Sequence, residues 1–312
     1  MSQIFKRFVL STGAVSVALL FSTTLCAQRA PQSKELAEAL AARKWNNSPP
    51  EKEAYANRPK SRPAPKRDLS GIWNGTASGG VEGGGMHEYP AGDNGNQIAG
   101  RDDESTVKRQ LPYTAEGLAA LKKHKPGVGV RSVDAALSND PVNTGNPQGF
   151  PRMLFYEIRV FEWTRLKDQW IYLDEFNQNF RTVWADGRPL PNLDEAETRW
   201  FGYSVGKWTD DYTFEIDTIG VDARTWLDNA GRPHSLDMKV HEIWHRIDYD
   251  TMEVTATVDD PKYYSQKFNG LDKFIVHRLP DTFDMEEFIY NNLETTDYGD
   301  LLGTKAIVGK GK

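Results

Sequence analysis

Histidine is the side chain best suited to moving a proton near neutral pH, and the chain carries six. His234 follows Pro233 near the end of residues 221–235, the longest excursion between two strand-like runs, which also holds Trp226 and Asp228. The proline restrains the backbone before the imidazole. A tryptophan can wall a pocket and a carboxylate can orient the ring. Glu175, Asp217 and Glu242 lie in runs that such a loop would cover. A carboxylate beside His234 would raise its pKa towards or above neutrality, which suits general acid–base chemistry. The expected catalytic set is therefore His234, Glu175, Asp217 and Glu242. Arg181, Arg246, Tyr203, Trp226, Asp228 and Arg152 are expected to bind substrate, the arginines by balancing buried charge or holding an oxyanion. The plainer alternative is that Trp-Leu-Asp and Pro-His-Ser only fix the loop.

A second grouping spells H-E-x-x-H, from His241 through Glu242 to His245. On a helix the two histidines would lie about 5–6 Å apart, and with Glu242 as base the site would be a zinc hydrolase. On a strand they would be about 13 Å apart, too far to share one ion. A helical stripe can be drawn through Leu236, Val240, Ile243 and Ile247. The neighbouring Val, Ile and Trp, and the Asp-Tyr-Asp turn that follows, favour a strand. The reading is therefore no metal ligands here.

The surrounding elements alternate with period two. Phe214, Ile216 and Thr218 share one face against Thr213, Glu215 and Asp217, and Val254, Ala256 and Val258 do the same. Asp210-Asp211 and the run 248–250 sit at the hairpin turns. The pattern predicts a mainly β chain whose antiparallel meander closes into a barrel with one or two peripheral helices. One helix is expected over 114–125, capped by Thr114, with Leu118 and Leu121 on the barrel wall. Long strands are expected from Met153 onward. In 169–184, Trp170, Tyr172, Phe176, Phe180 and Trp184 would share one face, and Glu175, Asn177, Asn179 and Arg181 the other. The polar face meets either solvent or a ligand inside the barrel. The last strand is expected over 268–279.

Lys6 and Arg7 precede an apolar run over 8–25, and Ala27 stands at a cleavage position, so residues 1–27 read as a secretory signal and the mature chain as periplasmic. The one cysteine, Cys26, falls in that segment. Residues 28–67 read as a Pro- and Lys/Arg-rich linker with a short helix, 68–280 as the barrel domain, and 281–312 as a tail. A formal charge of −6 and a pI near 5.6 argue against a nucleic-acid partner, and no membrane insertion is expected once the signal is removed. The glycines of 75–100 lack the context of a phosphate loop, and no cofactor motif is visible. Oligomeric state is not legible.

Asp68-Leu69-Ser70-Gly71-Ile72-Trp73 opens the domain, and a Gly-x-Trp entering the first strand resembles the start of lipocalin-like barrels. This segment, together with Asp140-Pro141, Gly149-Phe150-Pro151-Arg152, Gly202 to Trp208, Thr225-Trp226-Leu227-Asp228, Pro233-His234-Ser235 and Asp259 to Tyr263, resembles a large family of exported bacterial β-rich proteins. The resemblance implies export and the order of elements, and carries no reaction. In that family the stretch matching 242–246 usually reads Glu-Arg-Phe-Arg-Arg, without the histidines, and a cysteine common between the positions of Pro141 and Gly149 is absent here. Two functions fit the residues. One is a cofactor-independent acid–base enzyme, a lyase, isomerase or hydratase, acting on a small apolar or aromatic molecule in a barrel cavity. The other is a non-catalytic periplasmic carrier of a hydrophobic ligand.

Overall fold

The computed structural model describes residues 62–75, 111–127, 131–134, 137–155, 160–176 and 178–287. The run read as a signal, most of that read as a linker, the glycine-rich stretch with His87 and Glu88, and most of the run read as a tail lie outside the described residues. Nine strands form a closed barrel: β1 (Gly71–Asn74), β2 (Val160–Arg165), β3 (Gln169–Asp174), β4 (Asn179–Trp184), β5 (Tyr203–Trp208), β6 (Thr213–Ile219), β7 (Lys239–Arg246), β8 (Thr251–Asp259) and β9 (Phe268–Arg278). The mainly β barrel is therefore as the periodicity predicts. Among the described residues two short α-helices accompany it, α1 (Ala115–Leu121) and α2 (Arg152–Phe155).

Every neighbouring pair is antiparallel except β4 and β5, which run parallel and meet at only two positions, Val183 with Ser204 and Trp184 with Val205. The strand pair that closes the ring, β1 with β9, is as brief, with Trp73 opposite Arg278 and Asn74 opposite His277. The barrel is thus two antiparallel arcs, β1–β4 and β5–β9, joined at two short seams. Each seam is crossed by arginine. Arg181 reaches from β4 to Ser204 on β5, Thr218 on β6 and Glu242 on β7. At the other seam Arg278 donates to the Ser70 carbonyl and Arg246 to that of Asp68. Between them Trp73 is fully buried, bonded through its indole N–H to the Leu69 carbonyl at 3.0 Å, with the Arg246 guanidinium 4.7 Å from its ring. Burial, followed by the charge of Arg278, lowers the Arg246 pKa to about 10.

The interior is filled rather than hollow where its side chains are described. Trp163 packs edge-on against Trp170, Tyr172 and Trp244 at centroid distances of 5.2–6.4 Å. At Gly206 an added Cβ would sit 2.4 Å from the Phe214 ring, and at Gly270 it would sit 2.2 Å from Phe155. Close packing on this scale leaves room only for hydrogen there.

Several local expectations need correction. Residues 169–184 are two strands, not one. A turn at Glu175–Gln178 shifts the phase, so Trp170 and Tyr172 face inward while Phe180 is 62% exposed. Arg181 instead faces inward, opposite Tyr172. The run from Met153 begins as a helical turn, with the amides of Leu154 and Phe155 bonded to the Pro151 carbonyl, and the strand that follows is Val160–Arg165. Met153, Leu154 and Phe155 are all buried, a case in which periodicity does not separate helix from strand. Helix α1 is capped by Thr114, whose hydroxyl accepts from the Gly117 amide at 3.1 Å, but it stops at Leu121. There Arg131 takes the Leu121 carbonyl at 2.8 Å. Its buried positions are Gly117 and Leu121, and Leu118 points outward.

Candidate functional site

Three places in the fold hold most of the polar groups of interest, and four residues of the sequence-derived site, Glu175, Asp217, Tyr203 and Arg246, lie outside them. The first is inside the barrel. Glu242 and Arg181 form a bidentate ion pair at 2.6 and 3.0 Å, with both side chains almost wholly buried. Arg181 also donates to the hydroxyls of Ser204 and Thr218, Glu242 accepts from the Trp244 indole at 3.1 Å, and the Phe150 ring lies 3.9 Å from the guanidinium. The pair meets its hydrogen-bonding needs within the fold, as buried ions must. Strand β7 places Glu242 inward and His241 and His245 on the opposite, outer face. His241 pairs with Asp217 at 2.8 Å and His245 meets the Thr213 hydroxyl at 2.9 Å, so the three residues of H-E-x-x-H do not converge.

Asp217 and Glu175 therefore do not join Glu242. The phase of β6 sends Asp217 outward, and Glu175, in the turn after β3, accepts the Glu286 amide at 2.7 Å. Tyr203 is on the outer side of β5, its hydroxyl on the Glu197 carbonyl. Arg246 belongs to the other seam and donates to the backbone carbonyls of Asp68, Asp248 and Tyr249.

The second place is loop 221–235, held by buried polar bonds. The Ser235 carbonyl accepts from His234 Nδ1 at 2.9 Å, which fixes that nitrogen as the N–H. Nε2 then accepts the Thr225 hydroxyl at 2.6 Å. Both ring nitrogens are spent inside the loop. Burial holds the His234 pKa below its usual range. The expected rise fails because the carboxylate of the same loop is engaged elsewhere: Asp228 pairs with Arg232 and accepts the amides of Ala230 and Arg232. Asp260 takes both the amide and hydroxyl of Ser235. No hydrogen bond or ion pair among the described residues joins His234 to Glu175, Asp217, Arg181 or Glu242.

The third place is an open pocket of about 310 Å³ between this loop and the segment after α1. Trp226 and His124 form one wall, their rings stacked at 4.7 Å and 17°. Behind Trp226 the Arg152 guanidinium stands 5.8 Å from the ring, itself held by a bidentate pair with Asp140 at 2.7 and 2.9 Å. Trp200 and Arg224 line another side, and Thr144 and Asn146 a third. His124 Nδ1 lies 2.8 Å from the Gly231 carbonyl, so it too carries the proton. Nε2 is thereby the lone-pair nitrogen and takes no hydrogen bond from the described residues. Burial holds the His124 pKa down, which keeps the ring neutral at pH 7.

His124, Trp200, Thr144 and Asn146 are among the lining residues that the sequence reading did not single out. The one signal was a histidine within the run 114–125, which was expected only to be helical. No family model, curated protein or solved structure matches the chain.

Proposed function

We propose that the protein binds a small aromatic molecule, and that it does so in the loop pocket rather than inside the barrel. In this reading it is an exported carrier acting in the periplasm. The observation that carries it is the Trp226 wall, backed by buried Arg152 and faced by His124, beside Trp200 in an open cavity of about 310 Å³. That volume lies at the lower end of the range for small-molecule sites. Among the described residues the barrel interior is packed around Trp163, which favours the loop pocket over the cavity expected there. The test is a titration of the mature chain with single-ring aromatics, followed by amide chemical shifts. Saturable shifts confined to residues around His124, Thr144, Trp200 and Trp226 are expected. Shifts centred on Trp163, Tyr172 and Trp244, or none at all, would overturn the reading.

An acid–base enzyme of the lyase or isomerase type is the second reading. It is favoured by one feature, a neutral histidine with a free lone pair at a pocket wall. The base in that case is His124, because His234 has no nitrogen left for a substrate.

A further inference from the structure

The polar groups of this pocket are not balanced. Asn146 Nδ2 donates to the Pro141 carbonyl and the Thr144 hydroxyl, leaving its own carbonyl oxygen towards a ligand. The Thr144 hydroxyl proton goes to the same Pro141 carbonyl at 2.9 Å. Asn139, also on the lining, accepts from the Lys125 amide and donates to the Lys123 carbonyl, a pattern that fixes its orientation. His124 Nδ1 donates to Gly231. The donors of His124, Thr144 and Asn146 are thus committed to the protein, Asn139 keeps one amide N–H, and His124 Nε2 and the Asn146 oxygen remain as acceptors. Arg224 is the cation on the lining, and it lies along the Asp222 carboxylate at 2.7 and 2.9 Å.

We infer that the ligand is a neutral hydroxyl-bearing aromatic, a phenol, which lies beside Trp200 and donates its O–H to His124 Nε2. The inference rests on the pocket reading above. A carboxylate would bring only lone pairs to His124 Nε2 and the Asn146 oxygen, and would lie beside the charge of Asp222. An aromatic without a donor would leave the imidazole nitrogen desolvated and unpaired, a cost that sites built for a hydroxyl impose on analogues lacking it. An aliphatic alcohol would supply the donor but not the ring face.

The experiment compares p-cresol, 4-methylanisole and 4-methylbenzoate on the mature, wild-type chain by calorimetry. Nitrogen-15 shifts of the histidine ring are read alongside. The expected result is p-cresol binding about tenfold or more tighter than its methyl ether, with a shift at His124 Nε2 and none at His234. In His124→Phe, which keeps a ring against Trp226, cresol and ether should bind alike. Equal affinities in the wild type, or tighter binding of the benzoate, would overturn the phenol assignment and leave the pocket intact. Failure of all three to bind would remove the pocket reading itself. Because the comparison of cresol with ether needs no variant, poor folding of His124→Phe does not decide the question.

Discussion

At the scale of single residues, the two histidines of this region differ in what they leave free. His234 spends both nitrogens on Thr225 and Ser235, while His124 spends one on Gly231. His234→Ala should cost about 1–3 kcal/mol of stability, because the Ser235 carbonyl loses the imidazole donor in a dry site, while the Thr225 hydroxyl keeps the Asp222 carbonyl. It should leave aromatic binding in place. Urea unfolding and a ligand titration of the variant check both halves. Acid should act on both rings. Their folded pKa values lie below the ordinary 6.5, so the unfolded chain binds protons that the folded chain refuses. Their contribution is complete above pH 6.5 and drains away as pH falls through the lowered folded values. Melting temperatures between pH 7.5 and 5 should fall in the wild type and fall less in His234→Gln. That residues such as Asp228 and His234 fix the 221–235 loop was legible as the plainer alternative. The role of His124 was not, because its partner Gly231 stands 107 residues further along the chain.

At the scale of elements, the parallel contact of β4 with β5 is the least obvious feature of the barrel. Two ladder positions hold it, and side chains complete it: Arg181 on one half, and Trp208 against Trp170 and Phe214 on the other. Glu242→Ala would leave Arg181 charged and unpaired inside the barrel, and should cost about 3–5 kcal/mol. Replacing both residues, Arg181→Met with Glu242→Leu, should cost less than that single change. A denaturant series on the two variants and the wild type tests this, and a double variant as unstable as Glu242→Ala would show the clamp to be wrongly read. Gly206→Ala, whose new methyl would meet the Phe214 ring and Val183, should lose about 1–3 kcal/mol on the same measurement. The hairpins of β5 to β9 could be read from period two and from their Asp-rich turns. The seam could not, because alternation says which residues share a face and not which strand lies alongside. The same limit sent Asp217 and Glu175 to the wrong site, since the sign of each face depends on turns such as Glu175–Gln178 that the pattern runs straight through.

At the scale of the whole molecule, the segments that carry the family resemblance meet in space although they are scattered in sequence. Asp140 holds Arg152, Gly149 lies against Thr225, Thr225 holds His234, and Asp260 holds Ser235. Their existence was visible as motifs, and their pairing was not, because each bond joins different segments through the third dimension. The fold class was legible because a closed barrel repeats one simple rule along every strand. The division into two arcs has a further consequence. Each arc is contiguous in the chain, and the connection between them, residues 185–202, is exposed at 186–189 and again at 192–195. A chain severed between Pro191 and Asn192 would yield two polypeptides, each holding one complete antiparallel arc with one edge strand for each seam. Neither half can cover its aromatic face alone. Co-expressed, the halves should find each other and co-purify with the circular dichroism of the intact protein, each alone remaining insoluble or unfolded. The barrel would then serve as a split reporter whose reassembly depends on arginines crossing from one fragment to the other.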